Sequence, residues 1–135
     1  MQPDAMDALI EQLMAAEAHG DVDGAVAVYT YDVVHDVVGW PTGPTIGRDG
    51  ARTFYEHLVT NFRADDAVVG GRWRTHDALV VEHTMTGVAT GALLGLEGAG
   101  RTISFRMLHV FRFADERISG EQVWLDLAAI QQQLA

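Results

Sequence analysis

The sequence predicts an α+β domain in which a strongly curved, mainly antiparallel sheet wraps around N-terminal helices and leaves an apolar pocket inside. Three observations predict it. Apolar residues recur at helical spacing through most of the first half and at strand spacing through the second, an order that argues against alternating parallel units. Glycines at 70, 71, 87, 91, 95, 98 and 100 fit strands that kink, so the sheet bends into a cone. A long hairpin over residues 91–126 carries ionisable side chains in apolar rows.

The elements follow in order. Met6, Leu9, Ile10, Leu13, Met14 and Ala16 mark an amphipathic helix over residues 4–18, stopped by Gly20. Asp21 caps a short second helix whose apolar positions are Val22, Ala25, Val26, Val28 and Tyr29. Residues 31–38 are rich in valine and read as a short strand, with His35 on the face of Val33 and Val37. It ends at Gly39-Trp40-Pro41-Thr42-Gly43-Pro44, where the prolines forbid regular pairing; Trp40 there is either a pocket mouth or a staple on the core. Ala51, Phe54, Tyr55, Leu58, Val59 and Phe62 define a third helix over 47–62. Strands at 66–75, around Val68, Val69 and Trp73, and at 79–89 flank a His76-Asp77 turn. The second of them sets Val81, His83, Met85 and Gly87 on one face. Residues 101–113 alternate Ile103, Phe105, Met107, His109, Phe111 and Phe113 against Ser104, Arg106 and Arg112. After a turn at 114–117 the returning strand puts Glu121, Val123 and Leu125 together, and Asp126 caps a terminal helix over 127–134.

With 135 residues the chain is one domain, 1–135, long enough to bury about two-thirds of its unfolded surface. No repeat or low-complexity tract divides it. Nine basic residues against nineteen acidic give a formal charge of −10, which disfavours nucleic acid and anionic membrane as partners. The absence of cysteine excludes a thiolate nucleophile, a disulfide framework and a zinc-thiolate site. No basic start or membrane-length apolar run occurs at Met1-Gln2-Pro3-Asp4 or elsewhere, so a cytoplasmic protein is expected. The histidines show no paired metal-ligand spacing, and neither a phosphate loop nor a GxSxG elbow is present, so no metal and no cofactor is expected.

An ionisable group on an apolar row has either a partner or a shifted pKa. Proton abstraction beside a carbonyl needs a base in a dry pocket and a donor for the developing enolate oxygen. His35, His109 and Glu121 are therefore the candidate catalytic set, with Glu121 or His109 as base and the remaining histidine as donor. Against this stands a structural reading, in which the histidines are hydrogen-bonded core residues and Glu121 faces solvent. Candidate substrate contacts are Tyr29, Trp40, Trp73, His83, Phe105, Met107, Val123 and Asp126; of these His83 also reads as a structural residue, and Asp126 as a helix cap.

Several of these pieces, in this order, resemble a known family. They are Gly47-Arg48-Asp49-Gly50 followed by Phe54-Tyr55, then the crossing Gly91, Gly95 and Gly98-Ala99-Gly100-Arg101. The Phe111-Arg112 pair after His109 and the series Ile118, Trp124, Asp126, Leu134 complete them. Together they resemble the SnoaL-like polyketide and ester cyclases of the nuclear transport factor 2-like superfamily over nearly the whole chain. The resemblance implies a cone-shaped barrel with a deep apolar pocket, a homodimer formed through the sheet, and a cofactor-free aldol closure driven by a pocket aspartate. A histidine of the long third strand, matching His109, and a polar residue of the first strand, matching His35 where the cyclases carry asparagine, assist it. The aspartate immediately precedes the last strand's tryptophan, and that position is Val123 here. Glu121 lies one pair back on the same face, roughly 6 to 7 Å away by strand rise.

Three functions stay open on this reading. The first is a cyclase or isomerase acting on a hydrophobic, polyketide-like carbonyl compound. The second is an epoxide hydrolase or dehydratase. The third is a non-catalytic carrier of a small hydrophobic molecule, with Val123 marking lost chemistry.

Overall fold

The computed structural model describes residues 1–135 as four helices and eight strands, with an α+β architecture. Helix α1 (Pro3–Ala18) opens with proline in its first turn, where no amide partner is lost, and buries Met6, Ile10, Leu13 and Ala16. Gly20, at φ +68°, ends the run, and the Asp21 side chain accepts from Gly24 N to start α2 (Val22–Val26). Strand β1 (Tyr29–Val37) begins at Tyr29, which therefore belongs to the strand and not to the second helix. The short β2 (Thr45–Ile46) leads into α3 (Arg48–Asn61), which buries Ala51, Phe54 and Tyr55.

The long strands are β3 (Arg63–Arg74), β4 (Ala78–Ala89), β7 (Arg101–Ala114) and β8 (Arg117–Leu125). The glycine-rich crossing folds into a two-strand hairpin, β5 (Ala92–Leu93) with β6 (Leu96–Glu97). Helix α4 (Leu127–Leu134) is capped by Asp126, whose Oδ1 accepts from Ala129 N.

The main sheet runs β2-β1-β8-β7-β4-β3, antiparallel except for the parallel β1–β8 pair. It is open, with β2 and β3 at its edges, so the curved sheet of the expected cone does not close on itself. Bulges between Ala64 and Asp66, Val69 and Gly71, and Arg112 and Phe113 bend it. At Gly87 a Cβ would lie 2.2 Å from Arg63 O, so only glycine lets β3 start that close to β4.

The alternation on β7 is as the sequence predicts: Ile103, Phe105, Met107, His109 and Phe111 are all buried on the concave face. Helices α1, α2 and α3 close one part of that face around Ile10, Leu13, Tyr29, Tyr55, Leu79 and Phe111. Phe54, Leu93, Phe105, Met107, Val123 and Ile130 of α4 form the second cluster. Gln133 of α4 continues the ladder where β8 leaves β7 unpaired: its Oε1 accepts from Ser104 N at 2.8 Å and its Nε2 donates to Ser104 O at 2.7 Å. No helix is long and apolar enough to cross a membrane.

Candidate active site

A cavity of about 310 Å³ lies between α1, α3, the β5–β6 crossing and the concave face. Its walls are mostly apolar: Phe54, Leu58, Phe62, Met85, Leu93, Phe105, Met107, Val123 and Leu125. Exposed Ala18, His19, Gly20 and Arg63 form its mouth. The polar groups facing it include His109, Glu121, Tyr55 and Glu17.

Strand register brings the inner pair together. His109 lies opposite Val123, one rung along from Glu121, and all three project inward. His109 Nδ1 and Glu121 Oε2 are 2.9 Å apart, with side chains 6% and 0% exposed. Tyr29 donates to Glu121 Oε1 at 2.5 Å, and the Tyr29 and Tyr55 hydroxyls are 2.9 Å apart. Tyr29 is itself pinned through its backbone, because Arg48 Nε donates to Tyr29 O at 3.0 Å while its guanidinium covers the Tyr31 ring at 4.3 Å.

The electrostatics follow from this packing. Burial works to lower the His109 pKa, but the hydrogen bond and charge of Glu121, with the Glu17 charge, outweigh it and hold the ring above its ordinary value. Burial likewise acts to raise Glu121, yet the His109 hydrogen bond and charge, the His35 charge and the Tyr29 hydroxyl bring it below the usual carboxylate range. The pair is thus an imidazolium and a carboxylate. With Nδ1 committed to Glu121, Nε2 is the free ring nitrogen of His109, and it is buried without a partner. Burial, aided by the Glu121 charge, pushes both tyrosine hydroxyls well above their ordinary pKa, so they stay neutral donors.

The other residues expected at the site are placed as follows. Phe105, Met107 and Val123 line the cavity. His83 stacks on His109 with ring centroids 4.8 Å apart and planes at 13°, and neither of its nitrogens has a partner. Burial, with the His109 charge, pushes it down to about 4, so it is neutral at pH 7. Tyr29 lies behind Glu121 as its donor. His35 does not join the pair: its ring packs among Tyr29, Phe54 and Tyr55 at 5.6 to 5.9 Å, and it lines a separate pocket of about 170 Å³ with Trp40. Phe54 lines both spaces and stands between them. Trp40 packs on Phe54 and His57.

Trp73 and Asp126 stand outside the cavity. Trp73 pairs with Val80, a β4 residue of the outer face, because the bulge at Val69–Gly71 resets the alternation of β3; it is 55% exposed. Asp126 is exposed and occupied as the α4 cap. Two site residues were not singled out by sequence. Tyr55 counts only as a core position of α3. Glu17 falls on the stripe Met6, Ile10, Leu13, Glu17, with steps of four, three and four; an acidic residue in register with buried positions was the available signal.

The family model for SnoaL-like polyketide cyclases matches residues 7–134. The chain belongs to that family. Solved structures with this fold include a candidate polyketide cyclase from Xanthomonas campestris pv. campestris, 23% identical with a TM-score of 0.82 over 98% of each chain. TsrD from Streptomyces laurentii superposes at 0.86 with 19% identity, covering 100% of this chain and 98% of its own. An LEH-like epoxide hydrolase from Mycobacterium tuberculosis superposes at 0.70 with 18% identity over 93% and 86%. At these identities the likeness is one of fold. A search among proteins of curated function returns no match. Within this SnoaL-like chain, an apolar valine occupies the position at which the resemblance places the cyclase aspartate, and the buried carboxylate of the strand is Glu121.

Proposed function

We propose that this protein is a cofactor-independent acid/base enzyme that enolises a hydrophobic, polyketide-like carbonyl compound, as a cyclase or isomerase must. The observation that carries the reading is the buried His109–Glu121 pair at the inner end of an apolar cavity, with His109 Nε2 unpartnered. An imidazolium there donates Nε2–H to the substrate carbonyl and stabilises the oxyanion that forms when the neighbouring C–H is broken. Glu121 holds the ring in the charged state and fixes its orientation, and Tyr29 fixes Glu121. Apolar walls keep water out, which strengthens both interactions and favours enolisation over hydration.

The test is exchange of the α-protons of 2-tetralone, an apolar bicyclic ketone, for deuterium in D2O, followed by proton NMR. His109→Gln lowers kcat for exchange by about 100-fold to 10,000-fold and changes KM far less, as loss of a donor used mainly in the transition state requires. Equal rates in the variant and the parent protein would sink the role of His109. Tetralone binding without any exchange favours the non-catalytic carrier.

A further inference from the structure

His109 is held by hydrogen bonding at a single atom. Its Nδ1 meets Glu121 Oε2 at 2.9 Å, while Nε2, on the far side of the ring, bonds nothing. A hydrogen bond weakens steeply only below about 120°, and the χ2 torsion of a histidine ring is broad, without a narrow staggered well. Glu121 therefore sets which way the ring faces and leaves its plane loose. Every tilt of that plane carries Nε2 sideways.

Two neighbouring rings remove this freedom. His83 stacks on His109 with centroids 4.8 Å apart and planes at 13°, and Phe111 does so with centroids 5.4 Å apart and planes at 4°. The β4–β7 register puts them on opposite sides. His83 lies across from Met107, two residues before His109, and Phe111 stands two residues after it, with all of these side chains buried on the concave face. Tilting the His109 ring in either sense drives an edge into one cover or the other, and a close-packed interior has no room for that.

The two covers differ in what else they do. Phe111 belongs to the apolar cluster around Ile10, Leu13 and Leu79, so its burial has a reason apart from His109. His83 is 2% exposed and bonds through neither nitrogen. A buried imidazole without partners costs stability that an apolar side chain in the same place does not. What His83 supplies is a flat face, and its one aromatic contact is with His109. That face is uncharged, because burial and the His109 charge push His83 down to about 4. It lies over the imidazolium as a neutral ring over a cation, without the repulsion of a second charge.

We propose that His83 is a positioning residue of this site: with Phe111 it clamps the His109 ring between two faces and so aims Nε2 at the substrate carbonyl. The effect on rate rests on the acid/base reading above, whereas the clamp itself does not. No proton passes to or from His83. Glu121 sets the charge of the acid, and the two rings set its direction.

Two substitutions separate the face of His83 from its nitrogens. His83→Phe keeps a flat face and removes the nitrogens; His83→Leu fills the place with an apolar side chain and removes the face. In the free protein, motion of the His109 ring is read by NMR relaxation of its ring carbons. The order parameter is expected near about 0.85 in the parent protein and in His83→Phe, and below about 0.6 in His83→Leu. A value unchanged in His83→Leu overturns the clamp, because Glu121 and Phe111 then hold the ring without it.

For 2-tetralone exchange, His83→Leu lowers kcat by about 10-fold to 100-fold and changes KM by less than about 3-fold, the scale of a misplacement of about 1 Å. His83→Phe stays within about 3-fold of the parent protein in both. Equal loss of rate in the two variants assigns the effect to the nitrogens and overturns positioning by the face. A full rate in His83→Leu with a loosened ring overturns the positioning role as well. Absence of exchange in the parent protein overturns the acid/base reading and the effect on rate together, and the relaxation measurement alone then decides the clamp.

Discussion

His109 and His35 sit on the same concave face, on the two strands that flank the strand of Glu121, but the strand register and the hydrogen bonding disagree about which is its partner. His35 is paired directly with Glu121 across the parallel β1–β8 ladder, whereas His109 is opposite Val123 and reaches Glu121 diagonally. The carboxylate nevertheless bonds His109 at 2.9 Å, and burial pushes His35 down, toward the neutral ring. Three aromatic rings hold His35 in place, while Tyr29 takes the other carboxylate oxygen. Proximity along a ladder thus decides less than the remaining donors do, and a buried histidine becomes an acid only where a carboxylate with no competing cation is turned to it.

Breaking that distinction at its source has the largest effect. Glu121→Gln removes the counter-charge but keeps the volume, leaving a buried imidazolium beside a neutral amide. The His109 pKa is expected to fall below the ordinary value of 6.5, read by ring-nitrogen NMR, as burial is then unopposed by the pair. Unfolding in urea at pH 6 is expected to show a loss of about 3 kcal/mol, the scale for removing one partner of a buried ion pair. A His109 titration unmoved by the substitution would make Glu121 a packing residue and erase the contrast with His35.

The second test concerns Glu17, the carboxylate that lines the cavity from α1. The Glu17 carboxyl is raised from 4.5 to about 7 in the folded protein, so between those values the folded state holds a proton that the unfolded state has released. Stability from this group is therefore full below 4.5, falls as pH rises toward 7, and is flat above. Glu17→Gln removes that slope. Between pH 5 and pH 8 the variant should gain on the parent protein by about 2 kcal/mol, a figure reduced from the full linkage value because the side chain is only half-buried. Taking the difference between the two proteins cancels the titration of every other group. A difference that does not change with pH would mean that Glu17 is solvated.

Much of this arrangement was legible in the sequence, for definable reasons. Period-two alternation depends only on the pleat, so it placed His83 and His109 in apolar rows and Glu121 beside Val123, though not which face Glu121 takes, and Asp126 and Leu134 marked the ends of the last helix correctly. What alternation does not encode is a change of phase: the bulge at Val69–Gly71 carried Trp73 to the outer face. Strand order is non-local, so the open edges of the sheet and the parallel β1–β8 contact left no local trace. His35 was on the expected face, yet Phe54, nineteen residues further along on the third helix, stands between it and the cavity. Glu17 was hidden because helical stripes are read from their apolar members, and a carboxylate in the same register breaks the stripe instead of extending it.

The smallest expected change comes from the third buried histidine, and it sharpens the comparison because His83 touches the His109 ring without sharing its charge. Its imidazole stacks on His109 at 4.8 Å, both nitrogens lack partners, and burial with the His109 charge pushes it down to about 4. A neutral, unpartnered ring is worth little as a polar group, so His83→Phe keeps the stacked surface and deletes only unsatisfied atoms. At pH 8, where His83 is neutral in both folded and unfolded chains, stability should stay within about 1 kcal/mol of the parent protein. On acidification the unfolded chain takes up a proton near 6.5 that the folded chain refuses until about 4, so the parent protein loses stability through that window and His83→Phe does not. The variant should therefore be the more stable of the two at pH 5. Were it instead less stable at both pH values, His83 would be a bonded structural residue, and the stack on His109 would be holding that ring through a polar contact and not through its face.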